Sequence, residues 1–72
     1  MKQIIIRDEF IKLGQALKLA GVVSTGVEAK YEIESGKVKV NGETDTRRGR
    51  KCRNKDIISY RNEEFIITGN DK

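Results

Sequence analysis

The sequence predicts a small α+β domain, and three observations support this class. An apolar stripe with helical spacing lies near the N-terminus, a helix-capping signature follows it, and the second half carries several β-rich runs separated by turn residues. Helices followed by a run of antiparallel strands are typical of α+β proteins. The 72 residues are enough for one domain, which we expect to span 1–72.

The first strand and the first helix are predicted from a change of period. Residues 2–6 form a short apolar run bounded by charges, which suits an edge strand. From residue 10 the spacing becomes i, i+3, i+7, i+10, which favours a helix that ends at Gly21. The apolar stripe of this helix consists of Phe10, Leu13, Ala16, Leu17 and Ala20.

Residues 25–36 carry two conflicting signals. Thr25 and Glu28 have the spacing of a capping box, and Gly36 stands where a left-handed residue would end a helix. Against this, the apolar residues of 27–34 alternate strictly with charged ones, which is typical of a strand. The residues themselves favour the helix only slightly, so both structures stay open at this point.

The strands of the second half are predicted with less ambiguity. Val38 and Val40 alternate with lysines, and Asn41-Gly42 is a strong hairpin signal, with the return strand beginning at Glu43. A glycine-broken basic stretch then leads to a brief strand around Lys51–Cys52 and a turn at 54–55. The β-rich runs 56–60 and 64–68 read as a second hairpin.

The positive charge is concentrated in one segment. The formal net charge is +4, but residues 1–36 carry five basic and five acidic side chains, whereas residues 37–55 carry eight basic and two acidic. Residues 56–72 carry two basic and four acidic side chains. A segment with a net charge of +6 indicates a site for a polyanion such as nucleic acid.

The residue inventory argues against catalysis. The chain has no His, no cluster of metal ligands and no glycine-rich loop between a strand and a helix, so we predict no enzyme activity, no cofactor, no metal and no small-molecule substrate. The lone Cys52 has basic neighbours that lower a thiol pKa, but its place in a short strand predicts a core residue. The apolar run after Met1 is too short for a membrane span, and we expect a cytoplasmic protein.

The stretch LGQALKLAGVVSTGVEAKYEIESGKVKVNGETDTRRGRKCRNKDII resembles the S-four RNA-binding domain, also called the alpha-L motif. The resemblance covers residues 12 to 60 approximately and is most specific in GKVKVNG, the basic segment and the hairpin after it. The whole chain is most similar to the small stand-alone bacterial members, the YaaA/YbcJ-like proteins. The resemblance implies two short packed helices against a small, mainly antiparallel sheet, and it makes 25–34 the second helix.

The resemblance also implies a site for structured RNA, with ribosomal RNA or a ribosome precursor as the natural target. On this basis Lys12, Lys30 and Lys37 face a common groove together with Thr25 and the Asn41-Gly42 turn. Alternation along the strand adds Lys39, and the charge count adds the exposed basic loop. The loop residues are Arg47, Arg48, Arg50, Lys51 and Arg53.

Two further features shape the expected mode of binding. Glu32, Glu34 and Gly26 stand where relatives often carry basic residues, which would shift RNA contact from the second helix to the basic loop. We expect all four aromatic residues to pack in the core, so that RNA is recognised by backbone and shape and not by stacking on bases. They are Phe10, Tyr31, Tyr60 and Phe65.

Two other functions remain open at this stage. One is binding of duplex DNA, which net charge does not separate from RNA. The other is a protein adaptor that docks on an acidic partner. We expect a monomer in each case.

Overall fold

The computed structural model describes residues 1–69 and confirms an α+β fold with two helices and a mainly antiparallel sheet. The elements in chain order are β1 (Lys2–Ile5), β2 (Ile11–Lys12), α1 (Leu13–Leu19), α2 (Gly26–Glu34), β3 (Val38–Val40), β4 (Glu43–Thr44), β5 (Lys51–Cys52), β6 (Ile57–Tyr60) and β7 (Glu63–Thr68).

The strands form one main sheet and one short ribbon. The five-stranded sheet has the order β1-β7-β6-β3-β4, with β1 at one edge as predicted. β1 runs parallel to β7, and the other neighbours are antiparallel. The separate ribbon pairs β2 with β5, placing Ile11 opposite Cys52 and Lys12 opposite Lys51. This ribbon ties the start of α1 to the basic segment.

One hydrophobic cluster joins both helices to one face of the main sheet. Alternate residues of the strands are buried, as period-2 patterning requires, while their neighbours face outward. Cys52 is fully buried in the same cluster, as predicted. The fully buried large side chains are Phe65, Leu13, Leu17, Ile33, Ile58, Ile67, Val38, Val40 and Cys52.

The first helix begins three residues later than the stripe predicts. Lys12 has extended backbone angles, φ −71° and ψ 144°, because it is paired in the ribbon. The helix starts at Leu13, whose amide donates to the carbonyl of Arg50 at 2.8 Å. Phe10 therefore lies outside the helix, and its predicted assignment to the apolar stripe of that helix is wrong.

The second helix is confirmed, and its alternating sequence has a simple explanation. Residues four apart share a face of a helix, so Val27 and Tyr31 form one stripe and Ala29 and Ile33 form another. The first pair is exposed and the second is fully buried. The alternation therefore records two opposite helix faces, with only one turned to the core.

The capping residues of α2 act nearly as predicted. The amide of Glu28 donates to Thr25 Oγ1 at 3.0 Å, which is half of a capping box. The Glu28 carboxylate accepts from the amide of Ser24 at 2.7 Å, one residue earlier than the expected partner. Gly36 has φ +80° directly after the helix, a conformation that favours glycine.

The turn after β3 is also confirmed. Asn41 and Gly42 have φ values of 53° and 87°, as a type I′ hairpin turn requires. The Asn41 side chain accepts from the amide of Ile57 at 2.9 Å and donates to Asp56 at 3.0 Å. Asn41 therefore fixes the start of β6 as well as the turn.

Candidate nucleic-acid interface

A groove lies between α1, the first turn of α2 and the basic loop that precedes β5. It encloses about 360 Å³, and its lining includes three cationic side chains and no carboxylate. The residues that line it, here called the groove, are Lys12, Gly14, Gln15, Lys18, Gly26, Arg48 and Gly49.

The groove is built by the spacing of α1 and by close packing of the loop. Lys12, Gln15 and Lys18 recur every three residues on the side away from the core. The amide of Gly14 donates to the carbonyl of Arg48 at 3.1 Å. A Cβ atom at position 14 would lie only 2.8 Å from Arg48 Cγ, so glycine lets the loop lie directly on the helix.

The outer side of the β2–β5 ribbon continues the basic surface. Ile11 and Cys52 are paired and point toward the core, so the residues that alternate with them point outward. The Lys51 Nζ lies 4.9 Å and the Arg53 Cζ 5.7 Å from the centroid of the Phe10 ring. This surface, here called the ribbon face, consists of Phe10, Lys12, Lys51 and Arg53.

The cations of the groove and of the ribbon face form no ion pairs among the described residues, although the Asp56 carboxylate accepts from the backbone amide of Arg53 at 2.8 Å. Within residues 1–69, the ion pairs join Glu32 or Asp45 to other lysines and arginines. The two surfaces share Lys12, which is paired with Lys51 across the ribbon. Together they form a continuous strip of positive charge that is open to a polyanion.

Two other arginines of the basic loop have a different role. Asp45 is buried and binds Arg47 through two hydrogen bonds, Nε to Oδ1 at 3.0 Å and Nη2 to Oδ2 at 2.8 Å. Arg50 Nη1 adds a third at 3.0 Å. The hydrogen bonds from Arg47 hold the pKa of Asp45 well below its usual range. We call Asp45, Arg47 and Arg50 the Asp45 cluster.

The Asp45 cluster fixes the conformation of the loop. The backbone amide of Arg47 also donates to Asp45 Oδ1 at 3.0 Å. The carbonyl of Arg50, at the other end of the cluster, accepts from the first amide of α1. The exposure expected from the sequence holds for Arg47, whose side chain is 71% exposed, but only partly for Arg50, whose side chain is 27% exposed.

The predicted residues of α2 lie beside the groove. Gly26, the first residue of α2, lines it, and Thr25 caps the same end of the helix. Lys30 is exposed one turn after Gly26, on the same side of the helix. The groove lining among residues 1–69 does not include Thr25 or Lys30 themselves.

The predicted residues around β3 lie elsewhere. Lys39 is exposed on the outer face of the main sheet, opposite Thr44 and Ser59. The Lys37 Nζ lies 3.8 Å from Glu32 Oε1, so its charge is shared with an acid. The structure does not bring these two lysines, or the Asn41-Gly42 turn, into the lining of the groove.

Glu32 has a structural position that the sequence did not reveal. Its Oε1 accepts a hydrogen bond of 2.6 Å from the Tyr60 hydroxyl, and Arg61 lies 3.8 Å away. The bond from Tyr60 lowers the pKa of Glu32 and raises the pKa of Tyr60. This acid joins α2 to β6, and because it is buried it does not oppose RNA along the groove.

The single cysteine is buried and has a raised pKa. Burial raises the pKa of Cys52 to about 11, the reverse of the activation that its basic neighbours suggested. Within residues 1–69, no group of three potential ligands is placed to hold a metal ion. The same residues include no helix with the length and apolar character needed to cross a membrane.

Sequence reasoning missed several residues of this surface. Gln15 and Lys18 have the same three-residue spacing from Lys12, which was a usable signal. Gly14 and Phe10 had none, because their roles depend on contacts with the distant basic loop. The expectation that all four aromatic residues pack in the core is right for Tyr60 and Phe65, but Tyr31 is exposed and Phe10 lies outside the core cluster.

Comparison with known proteins agrees with this architecture. The S4 domain matches residues 4–68, nearly the whole chain. The chain is also 47% identical over 53 residues to the probable ribosome maturation protein RlbA of Bacillus subtilis (strain 168), a match that covers 74% of this chain and 75% of the relative. The chain belongs to the S4-domain family of RNA-binding proteins.

Proposed function

We propose that this protein binds structured RNA through the groove and the ribbon face, and that its target is ribosomal RNA or a ribosome precursor. The observation that carries this proposal is the continuous strip of cations from Lys18 to Arg53, none of which forms an ion pair within residues 1–69, on a chain of the S4-domain family. The role is binding, without catalysis of a reaction.

The charges are arranged for contact with an RNA backbone. Lys12, Lys18 and Arg48 approach the groove from two sides, so one phosphate strand along it meets several cations. Arginine presents a planar fork that suits phosphate oxygens, whereas the lysines act as point charges. The N-terminal end of α2 at Gly26 adds the positive end of a helix dipole.

The ribosomal target is supported by the relative. A match of 47% identity to a probable ribosome maturation protein covers most of both chains. The backbone contacts offered by the groove are also suited to folded RNA, because they recognise the path of the phosphates and carry no base sequence. We therefore expect a preference for RNA of defined shape over RNA of defined sequence.

A salt titration with two charge-matched variants tests the proposal. Lys12→Gln with Lys18→Gln removes two cations of the groove, and Lys37→Gln with Lys39→Gln removes two from the β3 side. If the groove pair makes two phosphate contacts, its loss lowers the log–log salt slope by roughly two and the affinity at moderate salt by some tens of fold. The β3 pair should leave both nearly unchanged.

Two controls separate the alternative functions. Equal competition by duplex DNA and by a folded ribosomal RNA fragment would indicate a general binder of nucleic acid. Association with ribosomes that survives nuclease treatment would indicate a protein adaptor. A larger effect of the β3 pair than of the groove pair would place the RNA at Lys37 and Lys39 and overturn binding through the groove.

A further inference from the structure

The ribbon face contains an aromatic ring that the core does not need. Phe10 is partly buried, yet it lies outside both the hydrophobic cluster and the group of side chains that pack against it. Two cations, Lys51 and Arg53, lie over its ring instead. An apolar ring kept at the surface in this way requires an explanation other than core packing.

We infer that the ribbon face binds an unpaired nucleotide of the RNA, with its base on Phe10 and its flanking phosphates on Lys51 and Arg53. This inference rests on the proposed function and adds a second subsite to it. A nucleotide has a flat apolar base between two charged phosphates, and the ribbon face presents the complementary pattern. Aromatic side chains beside cations are the usual means of holding unpaired bases.

The spacing along β5 fits such a ligand. Lys51 lies in β5 and Arg53 directly follows the strand, and the cations of both side chains lie over the same ring, that of Phe10. Residues two apart on an extended strand are roughly 7 Å apart, so the two cations are expected to have a spacing of this order. Neither has an ion-pair partner among residues 1–69. Contacts between an exposed cation and a ring are weak, so both side chains can turn toward phosphates and leave the ring to a base.

The position of the ribbon face defines what kind of RNA fits. Lys12 belongs both to the groove and to the ribbon face, and it is paired with Lys51. A strand that leaves the groove past Lys12 therefore meets Phe10 next. The predicted ligand is a folded RNA whose paired region lies on the groove and whose adjoining nucleotides are unpaired.

Three RNA probes test this inference with the intact protein. They are a short blunt duplex, the same duplex with a few unpaired nucleotides at both ends of one strand, and the extended duplex with abasic sites in the unpaired part. The abasic probe keeps the phosphates and loses only the bases. We expect the wild type to bind the intact extension roughly five- to a hundredfold more tightly than the abasic one.

The variants locate that difference on the ring. Phe10→Leu should abolish the preference for intact over abasic extensions, measured as the ratio of the two affinities within the same protein, and Phe10→Tyr should keep that preference. Tyr31→Leu, which removes an exposed aromatic residue of α2, is the matched control and should keep it as well. A thermal melt of each variant shows whether the fold is intact.

The outcomes distinguish this inference from the function on which it rests. Equal binding of intact and abasic extensions by the wild type would overturn the nucleotide subsite and leave groove binding standing. A preference that survives in folded Phe10→Leu would place the base elsewhere and overturn it too. Failure to bind any of the three probes would overturn the proposed function and the subsite together.

Discussion

The basic segment contains two groups of cations that the charge count does not distinguish. Arg47 and Arg50 are bound to buried Asp45, whereas Arg48, which lines the groove, and Lys51, on the ribbon face, form no ion pair within residues 1–69. The two groups alternate along a few residues of loop. A concentration of positive charge in a sequence therefore includes both cations that are available to bind RNA and cations that pair with an acid of the protein itself. Only the fold separates the two.

The two groups depend on each other. The Asp45 cluster holds the loop in the shape in which the carbonyls of Arg48 and Arg50 accept the first amides of α1. That contact places the Arg48 side chain over Gly14 and at the wall of the groove. Arg47 and Arg50, which are paired with Asp45, therefore position Arg48.

The largest expected effect on stability is that of Asp45→Asn. The change keeps the shape of the side chain but weakens its charge-assisted bonds to Arg47 and Arg50. A loss of about 1.5–3 kcal/mol is expected for hydrogen bonds to a charged group, and each kcal/mol corresponds to about 4–8 °C in Tm for a domain of this size. Thermal denaturation followed by circular dichroism measures it.

The matched control is Glu43→Gln, which removes the same charge from an exposed position on β4. Its Tm should stay close to that of the wild type, since exposed substitutions usually change stability little. Equal Tm values for the two variants would show that Asp45 does not hold the loop.

A pair of arginine variants separates the two groups directly. Arg50→Ala should lower the Tm by less than Asp45→Asn does, because Arg47 remains bound to the carboxylate. Arg48→Ala should leave the Tm nearly unchanged but weaken RNA binding roughly tenfold and reduce the salt slope by about 0.9, the value for one phosphate contact. Melting curves and salt titrations on both proteins check this. The reverse pattern would exchange the roles of the two residues.

Acid should weaken the Asp45 cluster in a defined direction. The pKa of Asp45 is lowered in the folded state from its ordinary value of 3.8. Its ion pairs therefore stabilise the fold fully above about pH 4, and that contribution is lost as the pH falls through the lower folded value. The Tm of the wild type should drop below pH 4 more steeply than that of Asp45→Asn. Parallel curves would mean that another carboxylate, such as Glu32, dominates acid unfolding.

Local signals in the sequence were sufficient for most of the fold. The capping threonine and Gly36 marked α2 correctly, and the Asn41-Gly42 turn marked the β3–β4 hairpin. These features depend on a few neighbouring residues, so the sequence contains the whole signal. The β2 strand was missed because only two residues pair, and their partners lie some forty positions away.

The same difference between local signals and contacts of distant residues explains which parts of the candidate site could be predicted. The basic residues were identified from the sequence because charge is visible without a structure. The pairing of Arg47 and Arg50 with Asp45 was not, because it depends on the burial of one acid in a loop of irregular shape. Phe10 was assigned to the core because its spacing from Leu13 matches a helix, and the ribbon overrides that spacing.

The smallest expected effect on RNA binding is that of Gly14→Ala, which displaces the Arg48 side chain without removing a charge. The new Cβ would lie 2.8 Å from Arg48 Cγ and 3.4 Å from Arg48 Cδ, so the arginine side chain must leave its place at the groove. Alanine is a better helix former than glycine by about 1 kcal/mol, which offsets part of the strain, and the Tm should change little. RNA affinity should fall about two- to fivefold, less than the loss expected for one full contact of roughly tenfold.

The decisive measurement is a double-mutant cycle with Arg48→Ala. Gly14→Ala should have no further effect on affinity once Arg48 is truncated, because the residue that it displaces is already absent. The same loss in both backgrounds would mean that Gly14 itself, and not the side chain packed on it, contacts the RNA.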